Sequence, residues 1–151
     1  MQWNVQVVAL GEILLAMVLG GAIGFERELA GKPAGLRTHM LVAGSAALLV
    51  ALGNIIVATF EQSLPSDAIR SDPIRIIQAI IVGISFLGAG TIFRSSDEGQ
   101  VVGLTTSAAV LFTAGIGIAV GLAQVFLAVS GTILLLVTVR FLGWVERRFI
   151  D

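Results

Sequence analysis

The run GQVVGLTTSAAVLFTAGIGIAVGLAQVFLAVSGTILLLVTV (99–139) holds 41 residues without one Asp, Glu, Lys or Arg. As a single α-helix it would reach about 60 Å, twice the ~30 Å hydrocarbon core of a bilayer. It must fold back, and a chain built around such a run lives in a membrane. Glycine weakens helix interiors and tolerates turn geometry, so the stretch Gly115, Gly117, Gly121 is the predicted turn. That gives spans near 101–118 and 122–142.

Composition agrees. The chain has 151 residues, 56% of them hydrophobic and 13% charged, with a mean hydropathy of +0.99, whereas a soluble domain carries about 25% charge. Too little charge is present to cover a solvated surface. The chain has no cysteine, which excludes a disulfide scaffold, a thiol nucleophile and a thiolate metal site. A formal net charge of -1 offers nucleic acid no basic field. One His and no Tyr narrow the acid/base inventory further.

Working outward, Thr38 to Phe60 and Ile76 to Phe93 are uncharged windows of 23 and 18 residues, read as spans near 38–60 and 74–93. A first span near 5–24 contains Glu12 and is closed by Glu26-Arg27-Glu28. No Lys or Arg precedes Arg27, so the positive n-region of a signal peptide is missing and the segment is expected to persist. The expected fold is all-α: a single transmembrane domain over 1–151, a bundle of about five helices, and no soluble C-terminal domain. With five spans the connections alternate sides. Arg27, Lys32, Arg37, Arg94, Arg140, Arg147 and Arg148 then share one side against Arg70 and Arg75 on the other. The positive-inside rule predicts an outside N-terminus and a cytoplasmic C-terminus. Asp72 and Pro73 read as a cap followed by proline at the first helical position.

Glu12 is the one charged residue that span arithmetic forces into hydrocarbon, at a cost of at least ~2.5 kcal/mol on the lenient scale. Ala16, Leu19 and Ile23 share its helix face, and Ala16, Gly20 and Gly24 form a small-residue stripe beside it. An ion or proton site and a neutral glutamic acid hydrogen-bonded between helices are both open readings. In the connector FERELAGKPAGLR (25–37), Glu26 and Glu28 lie two apart and cannot share a helix face. Gly31-Lys32-Pro33 lacks P-loop spacing, and Gly31, Pro33 and Gly35 suggest a shaped turn. His39 reads as a hydrogen-bonded interfacial residue or as a ligand or proton carrier. Gln78 is expected to be a buried amide bonded across helices. Gly88, Ala89 and Gly90 either admit a crossing helix or open the helix end. Thr105, Ala109, Thr113, Gly117 and Gly121 recur every fourth residue, a smooth face for packing or for a dimer seam, and Thr105, Thr106 and Ser107 place hydroxyls at its start.

In this topology Glu26 to His39, Gly88 to Arg94 and Gly103 to Ser107 converge on the cytoplasmic side, as a vestibule or docking site would. The expected partners are the bilayer, a second copy in a homodimer and a membrane protein. No nucleophile-base-orienter set, metal-ligand spacing or cofactor fingerprint stands in the sequence, so the chain is not expected to be an enzyme. No cofactor is expected.

The strings GFERELAGKPAGLRTHMLV (24–42), DPIRIIQAIIVGISFLGAGTIFR (72–94) and VVGLTTSAAVLFTAGIGIAVG (101–121) resemble the signature blocks of the MgtC/SapB family of bacterial inner-membrane proteins. Ser85 stands where the family more often has glycine, and Phe112 where Trp is common. The resemblance implies adaptation to low magnesium and, in pathogens, survival inside host cells. It implies either regulation of membrane partners, an ATP synthase among them, or transport of Mg2+ or another small solute. It places motif weight on Glu26, Arg27, Glu28, Lys32, Pro33, Arg37, His39, Asp72, Gly88, Gly90, Arg94, Thr105 and Thr106, without a catalytic role for any. Members of the MgtC type continue into a cytoplasmic domain, so a chain ending at Asp151 is expected to be the short, membrane-only SapB-like form.

Overall fold

Glycine and alanine let the helices approach closely, and the element order follows from where they lie. The computed structural model describes residues 2–63, 73–94 and 101–149. Helices α1 (Gln2–Leu29), α2 (Leu36–Ser63) and α3 (Pro73–Ala89) are followed by a short ribbon, then by α4 (Leu104–Gly121) and α5 (Val125–Phe149). In the ribbon β1 (Phe93–Arg94) pairs antiparallel with β2 (Val101–Val102), Phe93 opposite Val102 and Arg94 opposite Val101. Helices α1, α2, α4 and α5 are long and apolar enough to cross a bilayer. Helix α3, at 17 residues, reaches only about 25 Å.

Helix α2 is the hub. On one side Gly20 and Gly24 of α1 meet it backbone to backbone: a Cβ on Gly20 would sit 2.5 Å from the His39 carbonyl oxygen, and one on Gly24 2.7 Å from the Leu36 Cα. On another side Gly117 lies against Ala43 and Ala46, and Gly121 against Ala47 and Val50. Both pairs ascend together, so α2 and α4 run parallel. The enclosed core is mostly small, with Ala16, Ala43, Ala46, Ala47 and Ala114 fully buried. Large side chains such as Phe86, Phe126 and Val82 point outward. Lipid tails are as apolar as Leu, so close packing rather than apolar burial selects what lies inside.

Several expectations change. Gly115 and Gly117 lie inside α4, and the turn falls at residues 122–124. There the amide of Gln124 donates to the Ala119 carbonyl and that of Ala123 to the Val120 carbonyl, the two bonds of a Schellman motif. Ala123 occupies its left-handed position with φ 58°. Gly117 serves packing instead of turning. The span expected over 74–93 stops at Ala89 and gives way to the ribbon. Of the small-residue stripes on α1 and α4, Gly20, Gly24, Gly117 and Gly121 pack against α2 within the chain. Gln78 is exposed on α3, not buried between helices. Asp72 and Arg70 lie outside the described residues.

Candidate functional site

The polar cluster is built by the turn between α1 and α2. Helix α1 ends in the same motif as α4: the Lys32 amide donates to the Arg27 carbonyl and the Gly31 amide to the Glu28 carbonyl. Gly31 takes the left-handed position at φ +65°, where a side chain is strained, and Pro33 follows because it cannot continue a helix. The chain thus reverses within six residues and starts α2 at Leu36.

The start of α2 is capped from α1. The Leu36 amide donates to Glu28 Oε2 at 2.8 Å, so a carboxylate occupies the positive end of the α2 dipole. Gly35 makes this approach feasible, since a Cβ there would stand 2.7 Å from that oxygen. The Gly35 carbonyl accepts from the His39 amide at 3.2 Å, and His39 Nδ1 lies 3.0 Å from the same oxygen. Facing a carbonyl, Nδ1 must carry a proton, so in the neutral ring Nε2 is a bare acceptor. Nε2 is buried and has no hydrogen-bond partner among the described residues. An acceptor left so costs about 1–3 kcal/mol.

Arg27, only 3% exposed, pairs through Nε with Glu26 Oε2 at 2.5 Å. Glu26 and Glu28 therefore do different work, one neutralising a buried guanidinium and the other capping a helix. Lys32 and Arg37 are exposed around this turn.

The α3–α4 connection closes the same end of the bundle. Gly88 lies against Ser107, with a Cβ 2.6 Å from Oγ. Thr91 Oγ1 donates to the Gly88 carbonyl at 2.8 Å, holding the last turn of α3 closed, and Gly90 follows exposed. At Gly103, φ is +92° and a Cβ would overlap the Thr91 carbonyl oxygen. Thr106 is buried and Thr105 exposed, as is Arg94 on the ribbon. Because α2 and α4 are parallel, the start of α4 stands at the same end as the α1–α2 turn. The α1–α2 turn, the end of α3 and the start of α4 thus stand at one end of the bundle, and Glu26, Arg27, Glu28, Gly35 and His39 form a continuous set there. Gly35, Gly103 and Ser107 entered the sequence reading as members of these segments, without the packing roles the structure gives them. The signals for the first two were their places in a Gly/Pro-rich turn and directly before a helix.

Glu12 belongs elsewhere. It lies fifteen residues before Arg27 on α1, about 22 Å along the axis at 1.5 Å per residue, and is half-buried. Ala16 and Ile23 of its face are fully buried and Leu19 partly so. Between α2 and α3 an open groove of about 660 Å³ is lined chiefly by apolar residues such as Leu49, Ile56, Ala79 and Ile80, with Ser45 and Arg75 as its polar members. Among the described residues, no three His, Asp or Glu side chains are grouped to hold a metal ion.

Helices of this length and composition, packed through small residues, define a multi-pass membrane protein. The sequence profile of the MgtC family matches residues 13–148, and the chain belongs to that family. It is 35% identical to protein SapB of Bacillus subtilis over 148 residues, 98% of this chain and 62% of SapB. It is 42% identical to protein MgtC of Salmonella typhimurium over 125 residues, 82% of this chain and 48% of that protein. A third relative, YhiD of Escherichia coli, whose name gives it provisionally as a magnesium transporter, is 36% identical over 85% of this chain and 57% of its own length. The chain thus spans between about half and three-fifths of these relatives, SapB included. No solved structure matches it.

Proposed function

We propose that this chain is the membrane module of an MgtC-type protein acting in adaptation to low magnesium, and that it works by holding a membrane partner instead of passing the ion. The reading sets the N-terminus outside and the polar end, with the C-terminus, in the cytoplasm. The observation that carries it is the distribution of polar groups. Glu26, Arg27, Glu28, His39 and Thr106 gather at one end, with Lys32 and Arg37 exposed around them, while Glu12 stands about 22 Å deeper by helix rise. Mg2+ gives up its waters reluctantly and prefers octahedral oxygen coordination, so a path for it needs oxygen ligands at successive depths. The α2–α3 groove offers aliphatic walls instead.

The second reading, transport, is favoured by the placement of Glu12 within a span and by the name of the Escherichia coli relative. Magnesium uptake into liposomes holding the purified protein, with Glu12→Gln as control, separates the two. Regulation predicts no flux, and co-purification of a membrane protein that is lost in Arg37→Ala. Uptake abolished by Glu12→Gln reverses the order, and a reporter after Asp151 active only outside overturns the orientation.

A further inference from the structure

Helix α3 meets α2 near its own start, where Ile76 lies over Gly53, and meets α4 at its end, where Gly88 lies against Ser107. Since α4 runs parallel to α2, α3 runs antiparallel to both, and beside the Ile76 contact it leaves the open groove of about 660 Å³ toward α2. Along α2 the groove extends from Ser45 to Val57, about 18 Å by helix rise. That stretch lies inside Leu36–Thr59, long and apolar enough to cross a bilayer. One leaflet supplies half of a ~30 Å hydrocarbon core, about 15 Å, so the groove has the length of one lipid tail. Among the described residues that line it, the one charged member is Arg75. Arg75 is exposed and directly precedes Ile76, which sets it at the end of the groove where the chain has passed from α2 to α3.

We propose that this groove holds one acyl chain of an anionic phospholipid whose phosphate is bound by Arg75. Membrane-spanning helices are surrounded by lipid, and aliphatic walls offer water none of the polar partners it needs, so a tail is the occupant that fits the walls. The charge at the end then selects the lipid. A guanidinium matches the oxygens of a phosphate as a fork, and it carries enough N–H donors for a phosphate beside a contact within the chain. A zwitterionic headgroup brings an ammonium toward the same cation, which an anionic headgroup does not. Basic groups at the mouths of grooves between membrane helices select anionic headgroups for this reason. Gly83 lines the groove toward its other end, and a Cβ there would meet nothing within 4 Å. The protein itself leaves that space open, and a larger side chain can fill it without striking a neighbour.

The test counts lipid on the full chain. Purified protein is stripped of lipid in mild detergent, returned to phosphatidylglycerol or to phosphatidylethanolamine of the same chain length, and analysed by native mass spectrometry. Phosphatidylglycerol should be retained about fivefold more strongly, the worth of one cation facing an anionic lipid. Arg75→Gln should remove that preference and Arg75→Lys keep part of it, while Arg140→Gln, which removes an exposed cation of α5, should leave it unchanged. Gly83→Leu fills the groove and should lower retention of both lipids. Glycerol phosphate, a headgroup without tails, should not displace the lipid. Unchanged helix content and a single species in detergent verify folding of each variant, and Ala79→Leu, at an exposed lining position, reports the groove even where Gly83→Leu fails that control. Equal retention of the two lipids, a preference that survives in folded Arg75→Gln or falls as far in Arg140→Gln, retention untouched by a folded groove-filling variant, displacement by glycerol phosphate, or a lipid-free dimer with a second copy in the groove overturns the proposal.

Discussion

Two glycines two residues apart in α4 should respond in opposite directions to the same methyl group. A Cβ on Gly117 would lie 2.9 Å from the Ala43 carbonyl carbon and 2.9 Å from the Ala46 Cβ, with the Ala43 oxygen closer still. Carbon contacts are optimal near 3.5–4.0 Å, so α2 and α4 must part by at least about 0.6 Å along a contact made of backbone, which cannot rotate away. Overpacking of this kind costs about 1–3 kcal/mol. Alanine recovers about 0.5–1 kcal/mol of helix propensity, leaving Gly117→Ala destabilising by about 1–2 kcal/mol. At Gly115 nothing lies within 4 Å of the added atom, so only the propensity gain of about 0.5–1 kcal/mol is felt. Equilibrium unfolding of the purified protein in mild detergent, followed by circular dichroism, should separate the two variants by about 1.5–3 kcal/mol with opposite signs relative to wild type. Equal shifts would refute the α2–α4 register, and destabilisation by Gly115→Ala alone would return the turn to that glycine.

Gly103→Ala should be worse than Gly117→Ala, because its side chain would both strain a φ of +92° and strike the Thr91 backbone; loss of the folded species at ordinary expression temperature, seen as aggregation in size exclusion, checks this. Ala123→Gly relieves a left-handed residue at φ 58° and should raise stability by up to about 1 kcal/mol in the same unfolding assay. Glu28→Ala removes the carboxylate that caps α2 at Leu36 and should cost about 1 kcal/mol. Glu28→Gln keeps an acceptor oxygen there and should retain part of that stability.

The helical membrane fold was legible because hydropathy and span length report directly on a solvent with no hydrogen bonds to offer. Glycine was the ambiguous letter. In a membrane helix it marks either a turn or a close crossing, and nothing in residues 115–121 says which, because the answer sits on α2 at Ala43 and Ala46. The actual turn uses Ala123, a residue with no turn signature. Glu28 as a helix cap was hidden for a related reason, since its partner Leu36 lies across a turn whose geometry depends on Gly31 and Gly35. That Glu26 and Glu28 do not share a helix face, by contrast, followed from helix angle alone. Gln78 was misplaced because amphipathicity inside lipid does not tell the protein-facing side of a helix from its outward side.

The residues with motif weight divide by what already occupies them. Glu28 is engaged at the α2 start, Arg27 and Glu26 with each other, and Nδ1 of His39 with the Gly35 carbonyl, so changing any of these disturbs the turn whatever else they do. Breaking the buried pair by removing Arg27 leaves a carboxylate uncompensated, a loss of about 3–5 kcal/mol where burial is full and less for Glu26, whose side chain is 15% exposed. A lost phenotype in such a variant carries little information about recognition. Lys32 and Arg37 stand exposed around the same turn, where substitution typically stays within about 0.5 kcal/mol. If the turn exists to present charge to a partner, Arg37→Ala and Lys32→Ala separate presentation from support: they should abolish partner retention while leaving the unfolding curve in place.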